Sequence, residues 1–308
     1  MSTETIARPT DSGPKRPPIR RRHRRPAVSD RARFRPFHLF FYLLMGAGAF
    51  SAVAAFAWVI NVSLKTNVEF ITSPPFSLTR SWEFENYRQA WNAGGVAMFF
   101  GNSVLVAVTA TVLGVFFSVL AAYPLARVRF PGSGIVLSVF ILGLMVPWMV
   151  TFIPLYLTLR DIGLLDTQLG LILVYATYNL PFNIFVMVGF MRTLPVQLEE
   201  AAAIDGAGPA RTFFGIILPL LGPGVASITI ISFLNNWNEF FYALVLIRTK
   251  ENMTLPVGLW QLSQAATYSS NWVTLFAAIM ITVVPVLVVF ALLQRRIAEG
   301  LTAGAIKG

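Results

Sequence analysis

The chain has 308 residues, of which 56% are hydrophobic and only 12% charged, and its mean hydropathy is +0.66. That leaves too little polar surface to clothe a water-soluble fold of this length, so a bilayer is the expected solvent. The 24 basic residues exceed the 14 acidic ones, giving a net charge of +10, but eleven of the basic residues fall within the first 36 positions. That stretch holds arginine, proline and polar filler with no base-reading or stacking groups, which excludes a folded nucleic-acid interface.

Residues 1–36 read as a disordered basic cytoplasmic tail with an attraction to anionic membrane lipid. Residues 37–308 form the transmembrane domain, an all-α polytopic bundle. Six charge-poor windows are long enough to cross the hydrocarbon, for which about 20 residues are needed. They lie near residues 38–62, 98–126, 135–158, 169–191, 216–247 and 272–293. The first is longer than a signal-peptide core, and its small residues from Ala52 to Ala55 sit in mid-run, so it is a retained span. Cysteine is absent, which removes disulfides and thiolate sites, and His23 and His38 alone cannot build a metal centre.

With the N-terminus inside, the inner segments hold eighteen lysines and arginines against six outside. Both termini are therefore expected in the cytoplasm. The tail carries most of that bias, since the loops alone divide seven to six. Residues 64–97 form a long outer loop with Pro74, Pro75 and the aromatic run SWEFENYRQAW. Residues 192–215 form the inner loop with the most chemistry, opening the run RTLPVQLEEAAAIDGAGPARTFFGIILP. Pro195 can start a helix there, with Glu199 and Glu200 near its positive end. Leu198, Ala201, Ala202 and Ile204 offer a small apolar face, Gly206 and Gly208 interrupt the run, and Pro209 can open a second short helix.

Intramembrane polarity marks pathway candidates, because polar groups at bilayer depth face the bundle interior or water. Asn235, Asn236, Trp237, Asn238 and Glu239 cluster in the fifth window, and Glu239 is the one acid inside any window. These residues either face a solute as a gate or hydrogen-bond to neighbouring helices. Asn179 and Asn183, around Pro181, pose the same choice in favour of packing. Trp148, Trp237 and Tyr242 have rings suited either to a sugar or to packing. No nucleotide-binding P-loop occurs, so no ATP or other cofactor is expected on this chain.

Glu200-Ala201-Ala202, then Gly206, then Ile216, Leu218 and Pro219 reproduce the spacing of the EAA loop, and on it the chain resembles the permeases of bacterial ABC importers. AAYPLARVRFPG at 121–132, NNWNEFFYAL at 235–244, MTLPVGL at 253–259 and the C-terminal QRRIAEGLTAGAIKG resemble the carbohydrate-uptake branch, and within it the smaller maltose-permease type of subunit. The resemblance implies the MetI-like fold of type I importers, six transmembrane helices, and a place in the cell membrane. It implies four kinds of partner: a second permease, embraced by the first helix, two ATPase subunits that hold ATP and magnesium, an external sugar-binding protein, and lipid. It further implies alternating-access import of a di- or oligosaccharide, with Glu200, Ala201, Ala202, Gly206, Ile216, Leu218 and Pro219 docking the ATPase and Gly300–Gly308 reaching into the ATPase pair. A self-sufficient secondary transporter using Glu239 is the alternative, and it leaves the inner loop without a purpose.

Overall fold

The computed structural model describes residues 36–305, with side chains from 39 to 291, and every regular element among them is helical. The basic tail therefore lies outside the described residues, and Gly300–Gly308 is described only as helix backbone to Ala305. The chain divides into two units, residues 1–52 and 53–308. Helix α1 spans Pro36–Ser63, and its apolar stretch Leu39–Ser63 is one of four helices among the described residues long and apolar enough to cross a bilayer.

The second unit is organised around α4 (Val96–Arg127). One face of α4 is a ladder of small side chains at helical spacing, from Ser103, Ala107, Ala110 and Thr111 to Gly114, Ser118 and Ala122, all buried. Such a row lets backbones approach closely in a membrane bundle. At Gly114 the approach is at its limit, since an added Cβ would stand 3.0 Å from the Ala176 carbonyl oxygen. Ala176 belongs to α7 (Gln168–Tyr178), which continues into α8 (Leu180–Thr193) as a second full-length span. Helices α7, α8 and α12 (Gly222–Asn238) all pack on α4, and α15 (Trp272–Ala305) packs on α12.

Two windows that hydropathy reads as simple spans are bent. In the third, α5 (Ser133–Gly143) meets the turn at Trp148–Thr151 and α6 (Phe152–Asp161) at 96°, with Pro147 at the corner. In the fifth, the segment Pro209–Leu220, made of α10 (Pro209–Thr212), a π turn at Phe213–Ile217 and α11 (Leu218–Leu220), meets α12 at 74°. The chain breaks again at Glu239 before α13 (Phe241–Leu246), so 216–247 is not one continuous helix. The count reaches six spans when each bent pair is taken as one. Hydropathy sums composition and is blind to direction, which proline and the π turn change here.

The loop at residues 64–97 is more ordered than its composition suggests. It carries α2 (Asn67–Thr72), capped by Thr66, and α3 (Glu85–Trp91), which packs on α15. Lys65 is buried and donates to the Ser73 and Ser77 hydroxyls at 3.3 and 3.0 Å. Asn86 clasps the backbone on both sides of it, through the carbonyls of Ser63 and Lys65 at 2.9 Å each. Helix α14 (Leu255–Ser269) packs on α15 and α4.

Candidate functional site

Two adjoining cavities of about 490 and 330 Å³ open beside the breaks in the third and fifth windows. They share Trp148, Tyr178, Asn235 and Tyr242. The Pro147 corner brings Trp148 to 4.9 Å from Phe241, and Tyr242 is fixed by a 2.9 Å hydrogen bond to the Thr151 hydroxyl. The bend at Pro147 and the chain break at Glu239 therefore turn side chains from two spans toward one hollow.

Asn235 and Asn238 are exposed to that hollow, and Glu239 lies half-buried at its edge. The Glu239 carboxylate is held by its own chain break. It accepts the backbone N–H of Tyr242 at 2.8 Å and of Ala243 at 3.2 Å, and the Tyr175 hydroxyl at 2.5 Å. A helix restarting at membrane depth leaves N–H groups that lipid cannot satisfy, and a carboxylate meets both the hydrogen-bond need and the positive end of the helix. Glu239 thus caps α13 while contributing the one charge among the cavity-lining residues.

The other candidates part company. Trp237 is only 2% exposed, packed against Phe233 and edge-on to Phe100, and it lines neither cavity. Asn236 is buried, donating to Thr111 at 3.0 Å and accepting from Asn179 at 2.9 Å. Asn183 exchanges hydrogen bonds with Ser232 at 2.9 and 3.2 Å. These amides bind α4, α7, α8 and α12 together, which is the packing role weighed for Asn179 and Asn183. Tyr175, Tyr178 and Thr151 were not singled out by sequence, since a hydroxyl in an apolar run carries no periodic signal.

At the far end of α4 the loop after α8 forms α9 (Gln197–Ile204), whose two faces follow from 3.6 residues per turn. Ala202 is buried and Leu198 and Glu199 half-buried on one side, whereas Glu200, Ala201 and Ile204 are exposed on the other. Ile204 stands 86% exposed. Pro195 precedes the helix instead of opening it, with its carbonyl and that of Val196 taking the first hydrogen bonds. Gly206 turns the chain at φ +76°, a conformation that disfavours any side chain, and Pro209 opens α10 as expected. Ile216 and Leu218 are half-buried beyond it and Pro219 is exposed.

Residues 114–302 match the family of binding-protein-dependent transport system inner membrane components. The chain belongs to that family. Among similar proteins of this transport class, the diacetylchitobiose uptake system permease protein NgcG of Streptomyces coelicolor is 40% identical over 81% of this chain and 82% of its own. The sulfoquinovosyl glycerol transport system permease protein SmoH of Agrobacterium fabrum is 35% identical, over 86% and 91%. The trehalose transport system permease protein SugB of Mycobacterium tuberculosis is 34% identical, over 82% and 91%. The fold matches a solved bacterial ABC transporter that imports the acidic polysaccharide alginate, with a TM-score of 0.75, 24% identity, and coverage of 84% and 95%. The chain is accordingly a multi-pass membrane permease of the sugar ABC importer class with the MetI-like fold.

Proposed function

We propose that this permease forms one half of an alternating-access pathway in the cell membrane, with both termini cytoplasmic, for a neutral di- or oligosaccharide. An external binding protein delivers the sugar, and a second permease supplies the other half of the pathway. Two ATPase subunits hold ATP and magnesium, and one of them docks on α9. The observation that carries the coupling reading is the outward face of α9. A two-turn helix presenting Glu200, Ala201 and an 86% exposed Ile204 leaves apolar surface for a partner to cover. Ala201 gives close approach, Glu200 a charge for a basic group, and Gly206 the turn that sets the helix at the edge of the bundle.

The substrate class follows from the hollow. Its volume lies within the range of small-molecule sites, about 300–1,000 Å³. Aromatic faces at Trp148, Tyr178 and Tyr242 match the C–H faces of a sugar ring, and the Asn235 and Asn238 amides match its hydroxyls. Among the lining residues no lysine, arginine or histidine is present to neutralise a uronate, phosphate or sulfonate. A secondary, proton-coupled reading would assign Glu239 a mobile proton, but its oxygens accept from Tyr175 and the α13 backbone.

The test is ATP hydrolysis and sugar uptake by the whole complex in proteoliposomes, with and without loaded binding protein. Stimulation that Glu200→Arg abolishes supports the reading. Uptake by the chain alone, without ATP, overturns it.

A further inference from the structure

We infer that the ion pair between Arg127 and Glu199 is the strut that carries the motion of α9 into α4, making both positioning residues for transport; this rests on the coupling role proposed for α9. Helix α9 is weakly rooted by packing, since Ala202 alone among its eight residues is buried. Its tie to the bundle is electrostatic. The Glu199 carboxylate oxygen Oε1 lies 3.3 Å from Nε of Arg127, the last residue of α4, and the two side chains are only 18% and 8% exposed.

Neither atom has another partner. Both are shielded from solvent and neither makes an aligned hydrogen bond, so these two atoms face only each other. Burying two charges in this way is unfavourable unless they stay together, and the pair therefore resists separation when α9 is pushed. The same guanidinium donates to the Leu194 carbonyl at 2.9 Å, at the end of α8, so one arginine gathers three helix ends. Tyr123, one turn earlier on α4, stands within electrostatic reach of Glu199 as well. Helix polarity adds to the attraction, because Arg127 lies in the last turn of α4 and Glu199 in the first turn of α9.

What α4 receives, it passes on through contacts already described. Thr111 accepts from Asn236, which accepts from Asn179, whose neighbours Tyr178 and Asn235 line the hollow. Farther along, Asn102 donates to the carbonyls of Glu251 and Met253 at 2.7 and 2.9 Å and accepts from Gln168 at 2.6 Å. One long helix thus touches the docking loop at one end and the opposite loops at the other, with the cavity wall between.

The experiment measures sugar uptake and ATP hydrolysis together in the reconstituted complex for Arg127→Gln, Glu199→Gln and the charge exchange Arg127→Glu with Glu199→Arg. Each single variant should lose uptake per ATP by about fivefold or more while hydrolysis continues, and the exchange should recover part of that loss. Uptake per ATP at the wild-type value in both single variants overturns the strut, as does an exchange no better than its parents. Should the single variants fail to assemble, the chain's lack of cysteine offers a second route. Arg127→Cys with Glu199→Cys, bridged by a bifunctional thiol reagent in a complex with cysteine-free partners, should couple when bridged and uncouple when the reagent is cleaved. Equal coupling in the two states overturns the strut. Glu200→Arg run in parallel separates the two ideas: normal coupling there removes the docking role of α9 itself, whereas uncoupling there with normal Arg127 and Glu199 variants removes only the strut.

Discussion

At the scale of single residues, the polar groups divide into those that hold the bundle and those that face the hollow. Asp166 belongs to the first kind. It sits between α6 and α7 at φ +61°, and its Oδ1 accepts the backbone N–H groups of Arg248 and Thr249 at 2.8 and 3.0 Å. Burial pushes this carboxyl up, yet the hydrogen bonds from Arg248 and Thr249 outweigh it and hold it below the ordinary aspartate value. A depressed folded-state pKa contributes stability at pH above the unfolded value, near 3.9, and that contribution is lost as pH falls through the folded value. Asp166→Asn should therefore melt earlier than wild type at pH 7, and the gap should close below about pH 4. A gap of equal size at both pH values would show that the charge contributes nothing.

Individual polar positions were legible only as alternatives. Asn236 and Asn238 look equivalent in NNWNEFFYAL, but two residues along a helix turn through about 200°, so one lies in the core and the other faces the hollow. Trp237 drew attention as a sugar platform because aromatic rings serve both purposes, and only the positions of Phe100 and Phe233 decide for packing. The Arg127–Glu199 pair left no trace in sequence, since its members come from separate segments and each looks like an ordinary interfacial charge.

At the scale of elements, the loop carrying α9 was the most legible part, because its glycine turn at Gly206 and the proline start of α10 are local, although Pro195 precedes α9 instead of opening it. Ile204 tests what its outward face is for. Burying an isoleucine fully stabilises an interface by about 1.5–3 kcal/mol, so Ile204→Asp should weaken capture of the ATPase subunits about tenfold or more while leaving the melting of this chain unchanged. Co-purification yield against ATPase concentration measures the first, and thermal unfolding in detergent the second. The bent windows were legible as apolar length but not as direction. Their breaks demand caps, and Glu239 supplies one. Glu239→Ala would strand two backbone N–H groups and the Tyr175 hydroxyl, at a cost of about 1–3 kcal/mol for each one left without water, seen as a lower melting temperature. Glu239→Gln keeps an acceptor oxygen and should lose less.

At the scale of the whole molecule, bilayer-spanning architecture was written in composition, whereas the hollow exists only because two broken spans converge on it. On the proposed pathway, its single lining charge makes the selection of sugars an electrostatic matter. An anionic sugar passing Glu239 meets a like charge with no cation among the lining residues to offset it. At an effective dielectric near 20, a unit charge even about 15 Å away disfavours it by on the order of 1 kcal/mol, about fivefold in rate. The binding protein also selects sugars, so a bare comparison of two substrates would mix its preference with that of the wall. The ratio of uptake rates for a neutral disaccharide and its uronic acid counterpart, compared between wild type and Glu239→Gln with the same binding protein, cancels that contribution. The ratio should move about fivefold toward the uronic acid in the variant, with ATP-driven uptake of the neutral sugar retained. An unchanged ratio would mean that the sugar travels beyond reach of this wall, with the partner permease providing the contacts. Loss of all uptake in Glu239→Gln despite a normal melting temperature would instead restore Glu239 as a proton carrier.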